Sequence, residues 1–313
     1  MAVENQTLIT GFILLGFSDL SLQVQRFLFV LILLFYILAV MGNLIVFTIL
    51  TVDPVLHTPM YFFLRNLSFL EICFTTVTIP KTLVNFLAGD RSISFLGCAM
   101  QLYFLLFFGG EEGVLLGIMA FDRYVAICNP LRYSTLMSNK RCVNLALGSW
   151  MICLVLQFGQ TTFIISLPFC KSRIIHHFFC DISPILKLSC TDTYLNDVVR
   201  FTVSVLVLIM PFLIILSSYI YIIFTVMRMN SKARRSKAFS TCISHLTSVT
   251  LFYGTAMLVY LQPGVGYVDE RIFAAGYCLI SPMLNPLIYS LRSKEVKGAL
   301  RRRILEKMPL FRM

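Results

Sequence analysis

The amino-acid sequence predicts an all-α membrane protein: a seven-transmembrane helix bundle with a long, disulfide-stapled second outer loop and a short amphipathic C-terminal helix. Three observations carry this. The 313 residues are 58% hydrophobic and 13% charged, with a mean hydropathy of +0.83, where a soluble domain is about a quarter charged. Apolar residues collect in seven long runs. Lys and Arg concentrate in alternate connections between those runs, which orients a chain threaded through lipid.

The runs extend from about Phe27 to Leu50, Pro59 to Pro80, Phe95 to Ala120, Val143 to Leu167, Phe201 to Val226, His245 to Leu261 and Ile272 to Leu291. Each reaches or approaches the roughly 20 residues that a helix needs to cross a bilayer. A β-barrel needs alternating polarity, whereas Phe27-Leu28-Phe29-Val30-Leu31-Ile32-Leu33-Leu34 is apolar on every side. The sixth run is the weakest, because Ser244, His245, Thr247, Ser248 and Thr250 make its first turns polar. With the N-terminus outside, 17 Lys and Arg fall in inner segments and seven in outer ones. One local signal opposes this: the first inner loop, Thr51 to Thr58, has no Lys or Arg, while Arg26 precedes the first run. The sum over the other loops decides the orientation. The formal charge of +11 then marks membrane-facing ends rather than a nucleic-acid surface, since long apolar stretches interrupt the basic residues.

A single domain, residues 1–313, follows, with an extracellular N-terminus (1–26), the helix bundle (27–291) and a cytoplasmic amphipathic helix and tail (292–313). No long linker, internal repeat or low-complexity tract divides it. No charged n-region with a cleavage site announces a removable signal peptide, so the first run is expected to direct insertion. Asn5-Gln6-Thr7 is a glycosylation acceptor on the outer side, and Asn66-Leu67-Ser68 repeats the pattern inside a run, where it has no such meaning. After Leu291, Val296, Ala299, Leu300 and Ile304 recur at helical spacing among Lys and Arg, which describes a basic helix lying on membrane lipid at the inner leaflet. No Cys follows Cys278, so the tail cannot be palmitoylated.

Cys98 stands at the outer end of the third run, and Cys170, Cys180 and Cys190 lie in the outer loop from Pro168 to Asn196. Four lumenal cysteines allow three pairings, and the secretory route favours oxidising them. The other six, Cys73, Cys128, Cys142, Cys153, Cys242 and Cys278, are expected to remain thiols. His176 and His177 raise a metal site as the alternative, but sulfurs tied up in disulfides cannot ligate. A stapled lid is the better reading, because loops of this length tend to be functional or disordered.

Ionisable groups at membrane depth are expensive and by default mark pathways, relays or switches. Glu71 in the second run and Glu111 and Glu112 in the third are the candidates. Adjacent helical residues point about 100° apart, so only one of Glu111 and Glu112 can face the interior fully. The alternative is that these are neutral groups hydrogen-bonding helices together. Asp122-Arg123-Tyr124 lies where the third run meets the cytosol, either as a charge pair that a competing contact can break or as a plain stop-transfer cluster. Asn285-Pro286, followed by Tyr289, puts a kinking proline in the last run.

With these features the chain resembles a rhodopsin-like G-protein-coupled receptor, and more narrowly a vertebrate olfactory receptor. The resemblance runs nearly end to end: Gly42-Asn43, Leu56-His57-Thr58-Pro59-Met60-Tyr61, Met119-Ala120-Phe121-Asp122-Arg123-Tyr124-Val125-Ala126-Ile127-Cys128, Lys237-Ala238-Phe239-Ser240-Thr241-Cys242 and Pro282-Met283-Leu284-Asn285-Pro286-Leu287-Ile288-Tyr289. Phe121 stands where the family commonly has Tyr, and Glu71 where most rhodopsin-like receptors carry Asp. The resemblance implies a Cys98–Cys180 disulfide and leaves Cys170 with Cys190. It implies that Arg123, between Asp122 and Tyr124, is the switch at the G-protein face, with Asn285, Pro286 and Tyr289 in the same coupling machinery. Glu71 and Glu112 would line the polar centre of the bundle, where related receptors hold a sodium ion. Phe252-Tyr253-Gly254 replaces the usual Trp-centred motif, which makes Tyr253 the expected floor of the ligand cavity.

Helical spacing is consistent with such a cavity. Leu105, Gly109 and Glu112 share a face of the third run, Leu106 and Gly110 lie beside them, and Ala256 and Tyr260 share a face of the sixth. Leu105 stands where amine receptors place an acid, so a neutral, largely apolar ligand with one or two polar atoms suits the site. Alternatively, Gly109, Gly110, Gly113 and Gly117 merely let helices pack closely. The expected function is an odorant receptor at the plasma membrane of olfactory cilia, without a cofactor, acting on the stimulatory olfactory G protein to raise cyclic AMP. A non-olfactory chemoreceptor of the same class is the near alternative. A transporter would show repeats and broken midplane helices, and an intramembrane aspartyl enzyme would need Asp within the runs. Neither is visible, and Ser244 with His245 is read as a polar helix terminus rather than as catalytic.

Overall fold

The computed structural model describes residues 11–170, 172–260 and 267–307; Asn5 lies outside them. The chain is mostly helical. Seven long helices, taken in order as the first to the seventh, are Leu22–Val52, Pro59–Ala88, Phe95–Cys128, Asn139–Ile165, Tyr194–Met227, Lys232–Tyr260 and Tyr267–Arg292. The first five are long and apolar enough to cross a membrane, and the seventh contains a shorter apolar stretch, Phe273–Tyr289. Phe63, Leu64, Leu67, Leu70 and Phe74 of the second helix are buried in the core. Phe27, Val30, Leu213 and Phe224 of the first and fifth helices point outward, as side chains facing hydrocarbon do.

Most helices overrun the apolar stretches that predict them, because caps rather than hydropathy end a helix. Ser94 accepts the Gly97 N–H at 3.0 Å to start the third helix, and Gly89, at φ +66°, ends the second. The sixth corrects the expectation most. It begins at Lys232, so Ser244 and His245 stand mid-helix and not at its terminus. Ser244, His245 and Ser248 are buried in the bundle. Thr247 and Thr250 return their hydroxyls to the carbonyls of Ile243 and Leu246, each at 2.8 Å, which keeps them satisfied away from water.

Prolines shape the fifth and seventh helices. Pro211 has no N–H for the Val207 carbonyl, and the preceding turn, Val205–Ile209, opens into a π-helix. Gly113 of the third helix makes room for it: a Cβ there would stand 3.0 Å from the Val207 oxygen. Pro286 likewise withholds a donor from the carbonyl of Pro282. Asn43 of the first helix supplies one from its Nδ2 at 2.8 Å, while a Cβ on Gly42 would meet the Pro286 ring at 3.2 Å. The Gly-Asn and Asn-Pro signatures are therefore two halves of one contact.

The outer face carries a small sheet that hydropathy does not announce. Strand β1 (Gly11–Leu14) lies between β2 (Ser92–Ser94), antiparallel to it, and β3 (Ile174–Ile175), parallel to it. Disulfides join Cys98 to Cys180 and Cys170 to Cys190. Gln101 adds a hydrogen-bonded tie, accepting the Cys180 N–H at 3.0 Å and donating to the Val77 carbonyl at 3.1 Å. On the opposite face, the helix Lys294–Lys307 buries Val296 and Ala299 against the bundle.

Candidate functional site

Side chains of the third to seventh helices border a small, partly open cavity. Leu105, Leu106, Gly109 and Gly110 of the third helix and Ala256 of the sixth border it. Tyr253 does not. One turn from Ala256, it donates its hydroxyl to the Gly113 carbonyl at 3.3 Å and packs on Phe252 and Phe212. The side chain of Tyr260 lies outside the described residues. The glycines divide between the two roles weighed for them. Gly113 and Gly117 admit the fifth helix, with Pro211 at 3.1 Å from a Cβ on Gly117, whereas Gly109 and Gly110 leave cavity space beside Tyr277 and Gln157.

Spacing arguments confined to the third and sixth helices miss the other walls. Gln157 and Gln160 of the fourth helix, Val203, Ser204 and Val207 of the fifth, and Tyr277 of the seventh also border the cavity. A signal was present: Gln157 and Gln160 are polar at membrane depth, a wider criterion than the ionisable groups that singled out the glutamates. Arg200 at the rim pairs with Asp197 at 3.0 Å.

At the bundle centre Glu71 accepts a hydrogen bond from Asn285 Nδ2, and Glu112 lies close enough for its charge to interact with that of Glu71. Oxygens of Glu71, Glu112, Ser281 and Asn285 are buried without a hydrogen-bond partner among the described residues. This is an all-oxygen set of the chemistry that hard cations favour, so these residues suit a sodium ion. Glu111 turns instead to the fourth helix, where it accepts the Ser149 hydroxyl at 2.7 Å. Both glutamates are buried, but each faces a different neighbour.

At the inner end, Arg123 Nε lies 3.7 Å from Asp122, whose other oxygen accepts the Tyr133 hydroxyl at 2.9 Å. The guanidinium also reaches Met60 Sδ at 3.2 Å. Tyr124 packs on Tyr221 of the fifth helix, and Tyr289 is buried in the core. His245 ties these helices together. Its Nδ1 meets the Tyr219 hydroxyl of the fifth helix at 2.8 Å, and its Nε2 meets the Leu116 carbonyl of the third at 3.1 Å. A residue read from sequence as a helix terminus is thus a three-helix junction.

A family profile described as olfactory receptor matches residues 32–307. Human olfactory receptor 10A7 is 47% identical over 98% of both chains, and rat olfactory receptor 1f45 is 46% identical over 99% of both. The chain belongs to the olfactory receptor family. Human olfactory receptor 10C1, 47% identical over 98% of each chain, agrees. As an olfactory receptor the protein is a multi-pass membrane receptor of the G-protein-coupled class and not an enzyme.

Proposed function

We propose that a small, largely apolar odorant binds in this cavity, in the outer half of a bundle whose seven helices all cross the plasma membrane of olfactory cilia. The N-terminus is extracellular and the C-terminus cytoplasmic. The bound ligand favours a state in which the sixth helix moves away from Arg123 and opens an inner cleft for the stimulatory olfactory G protein, raising cyclic AMP. One observation carries the reading: Ala256 at the cavity and His245 at the junction lie on the same face of one helix, about three turns apart. A ligand that prefers one placement of that helix biases the junction directly, and it acts only through its differential affinity for the two states.

The test is an odorant panel on cells carrying a cyclic AMP reporter, with surface expression verified. An agonist should act on the parent and lose its effect with Arg123→Ala. If Arg123→Ala signals like the parent, the coupling role assigned to Arg123 is wrong. If epitope tags place both termini on one side of the membrane, the receptor topology itself fails.

A further inference from the structure

We propose that the cavity selects hydroxyl-bearing odorants, alcohols or phenols, whose O–H donates to Oε1 of Gln157. This rests on the odorant-receptor reading above and narrows it to a ligand class.

Gln157 is only 2% exposed, and its Oε1 has no hydrogen-bond partner among the described residues. It borders the cavity. A buried carbonyl oxygen without a donor is costly, and the space beside this one is where a ligand sits. The amide lies against bare backbone, since a Cβ on Gly110 would stand 3.2 Å from Gln157 Nε2. Most of the remaining wall is apolar, with Leu105, Leu106, Leu208 and Ala256 offering hydrocarbon to a hydrocarbon body, and Gln160, Ser204 and Tyr277 also reach it. What the site lacks is therefore one donor on an otherwise apolar molecule. Ethers, aldehydes, esters and alkanes bring none.

A carboxylate is the wrong partner as well. It donates nothing to Oε1, and the cation nearest the cavity, Arg200, is already matched by Asp197 at 3.0 Å and by the Ser183 hydroxyl at 3.4 Å. Among the described residues a ligand anion would find no free counter-charge in a mostly apolar enclosure, which is unfavourable. A neutral hydroxyl satisfies both conditions.

The experiment compares primary alcohols of five to ten carbons and simple phenols with their isosteric methyl ethers and with the matching carboxylates. 1-Octanol, heptyl methyl ether and octanoate form one such set. Dose–response curves are read by cyclic AMP at verified surface expression. The parent should prefer each activating alcohol over its ether by about tenfold, the scale of one buried hydrogen bond, and respond least to the carboxylate. In Gln157→Leu the alcohol-to-ether ratio should fall to near one. Strongest agonists without a hydroxyl, or an unchanged ratio in Gln157→Leu, would overturn the proposal while leaving the receptor reading intact.

Silence of the parent toward every odorant class would instead count against the receptor reading. A ligand-free measurement then still decides the role of Gln157. An amide waiting for a ligand is a liability in the empty receptor, so purified Gln157→Leu should melt at a higher temperature than the parent. If it melts lower, the amide is holding the helices together and the proposal is wrong.

Discussion

Mild acid should loosen the outer lid through one residue, His177. The ring is 2% exposed, stacked on Phe178 with centroids 4.7 Å apart and edge-on to Phe179 at 4.3 Å. Its Nδ1 accepts the Phe179 N–H at 3.4 Å, a bond that only an unprotonated nitrogen can accept. Burial first, and then the positive charges of Arg271 and Lys187, push the imidazole down to about 3 from its ordinary 6.5. The lid around it is cross-linked by the Cys98–Cys180 disulfide and by the Thr82 hydroxyl, which donates to the Phe178 carbonyl at 3.2 Å.

The sign follows from linkage. Above pH 6.5 the ring is neutral both folded and unfolded, and pH has no leverage. Between about 6.5 and 3 the unfolded chain takes up a proton that the folded lid refuses, so stability falls as pH falls. At pH 5 the loss is about 2 kcal/mol, from 1.36 kcal/mol per unit over the 1.5 units below the ordinary value. Asp19 acts in a separate window. Its hydrogen bonds with Arg271, at 2.7 and 2.8 Å, hold its carboxyl below the usual range, so its contribution is present above about pH 4 and is lost only in stronger acid. A scan from pH 7 to pH 5 therefore leaves Asp19 ionised. The assay is thermal unfolding of the receptor in detergent, followed by the fluorescence of its single tryptophan, Trp150. The parent should lose about 4 °C or more over that interval, and His177→Gln, which keeps an acceptor without the titration, should lose distinctly less. Equal losses in the two proteins would refute the reasoning.

Two further perturbations probe the inner half. His245→Phe removes both junction hydrogen bonds, together worth about 1.4 kcal/mol in a membrane, so ligand-independent cyclic AMP should rise about tenfold at equal surface expression; a silent variant with unchanged basal signal would show that the junction does not hold the inactive state. Asn43→Ala strips the Pro282 carbonyl of the donor that Pro286 cannot supply. It should cost about 1 kcal/mol in thermal unfolding, and replacing Pro286 by Ala in the same protein, which restores the helical N–H, should recover part of the loss.

How much of this was legible depends on the length scale of the signal. Helices of 26 residues or more leave long apolar runs, and those runs are visible in the bare sequence. β1, four residues long, leaves almost none: Phe12 and Leu14 are buried and Ile13 is exposed, an alternation too brief to separate from chance. The start of the sixth helix was hidden for a different reason. Its buried face carries Ser244, His245 and Ser248, polar groups that hydropathy scores as a boundary but that three-dimensional partners make tolerable. The cavity shows the same limit. Helical spacing places Leu105, Gly109 and Ala256 on shared faces, yet which side chains of the fourth and fifth helices complete the wall depends on how those helices are set against the third. The π-turn at Val205–Ile209 shifts exactly that register, and regular periodicity cannot carry across it.

The Thr51–Thr58 loop, which has no Lys or Arg of its own, receives a contact from far along the chain. Asp53 is buried, accepts the Val55 N–H at 3.0 Å within its own turn, and accepts Arg302 Nη2 of the tail helix at 2.8 Å. Arg303 beside it donates to the Val52 carbonyl at 3.1 Å. The loop therefore receives its positive charge in space rather than in sequence, and an acidic residue there serves as a dock for the tail. Arg302 is half exposed, so the pair adds little to global stability; its effect belongs to the placement of the tail helix. Limited proteolysis reads that placement. Asp53→Arg and Arg302→Asp should each speed cleavage of the tail by leaving like charges face to face, and the double exchange should slow it again. If the two changes simply add, the tail is held by Val296 and Ala299 alone, and the ion pair is incidental.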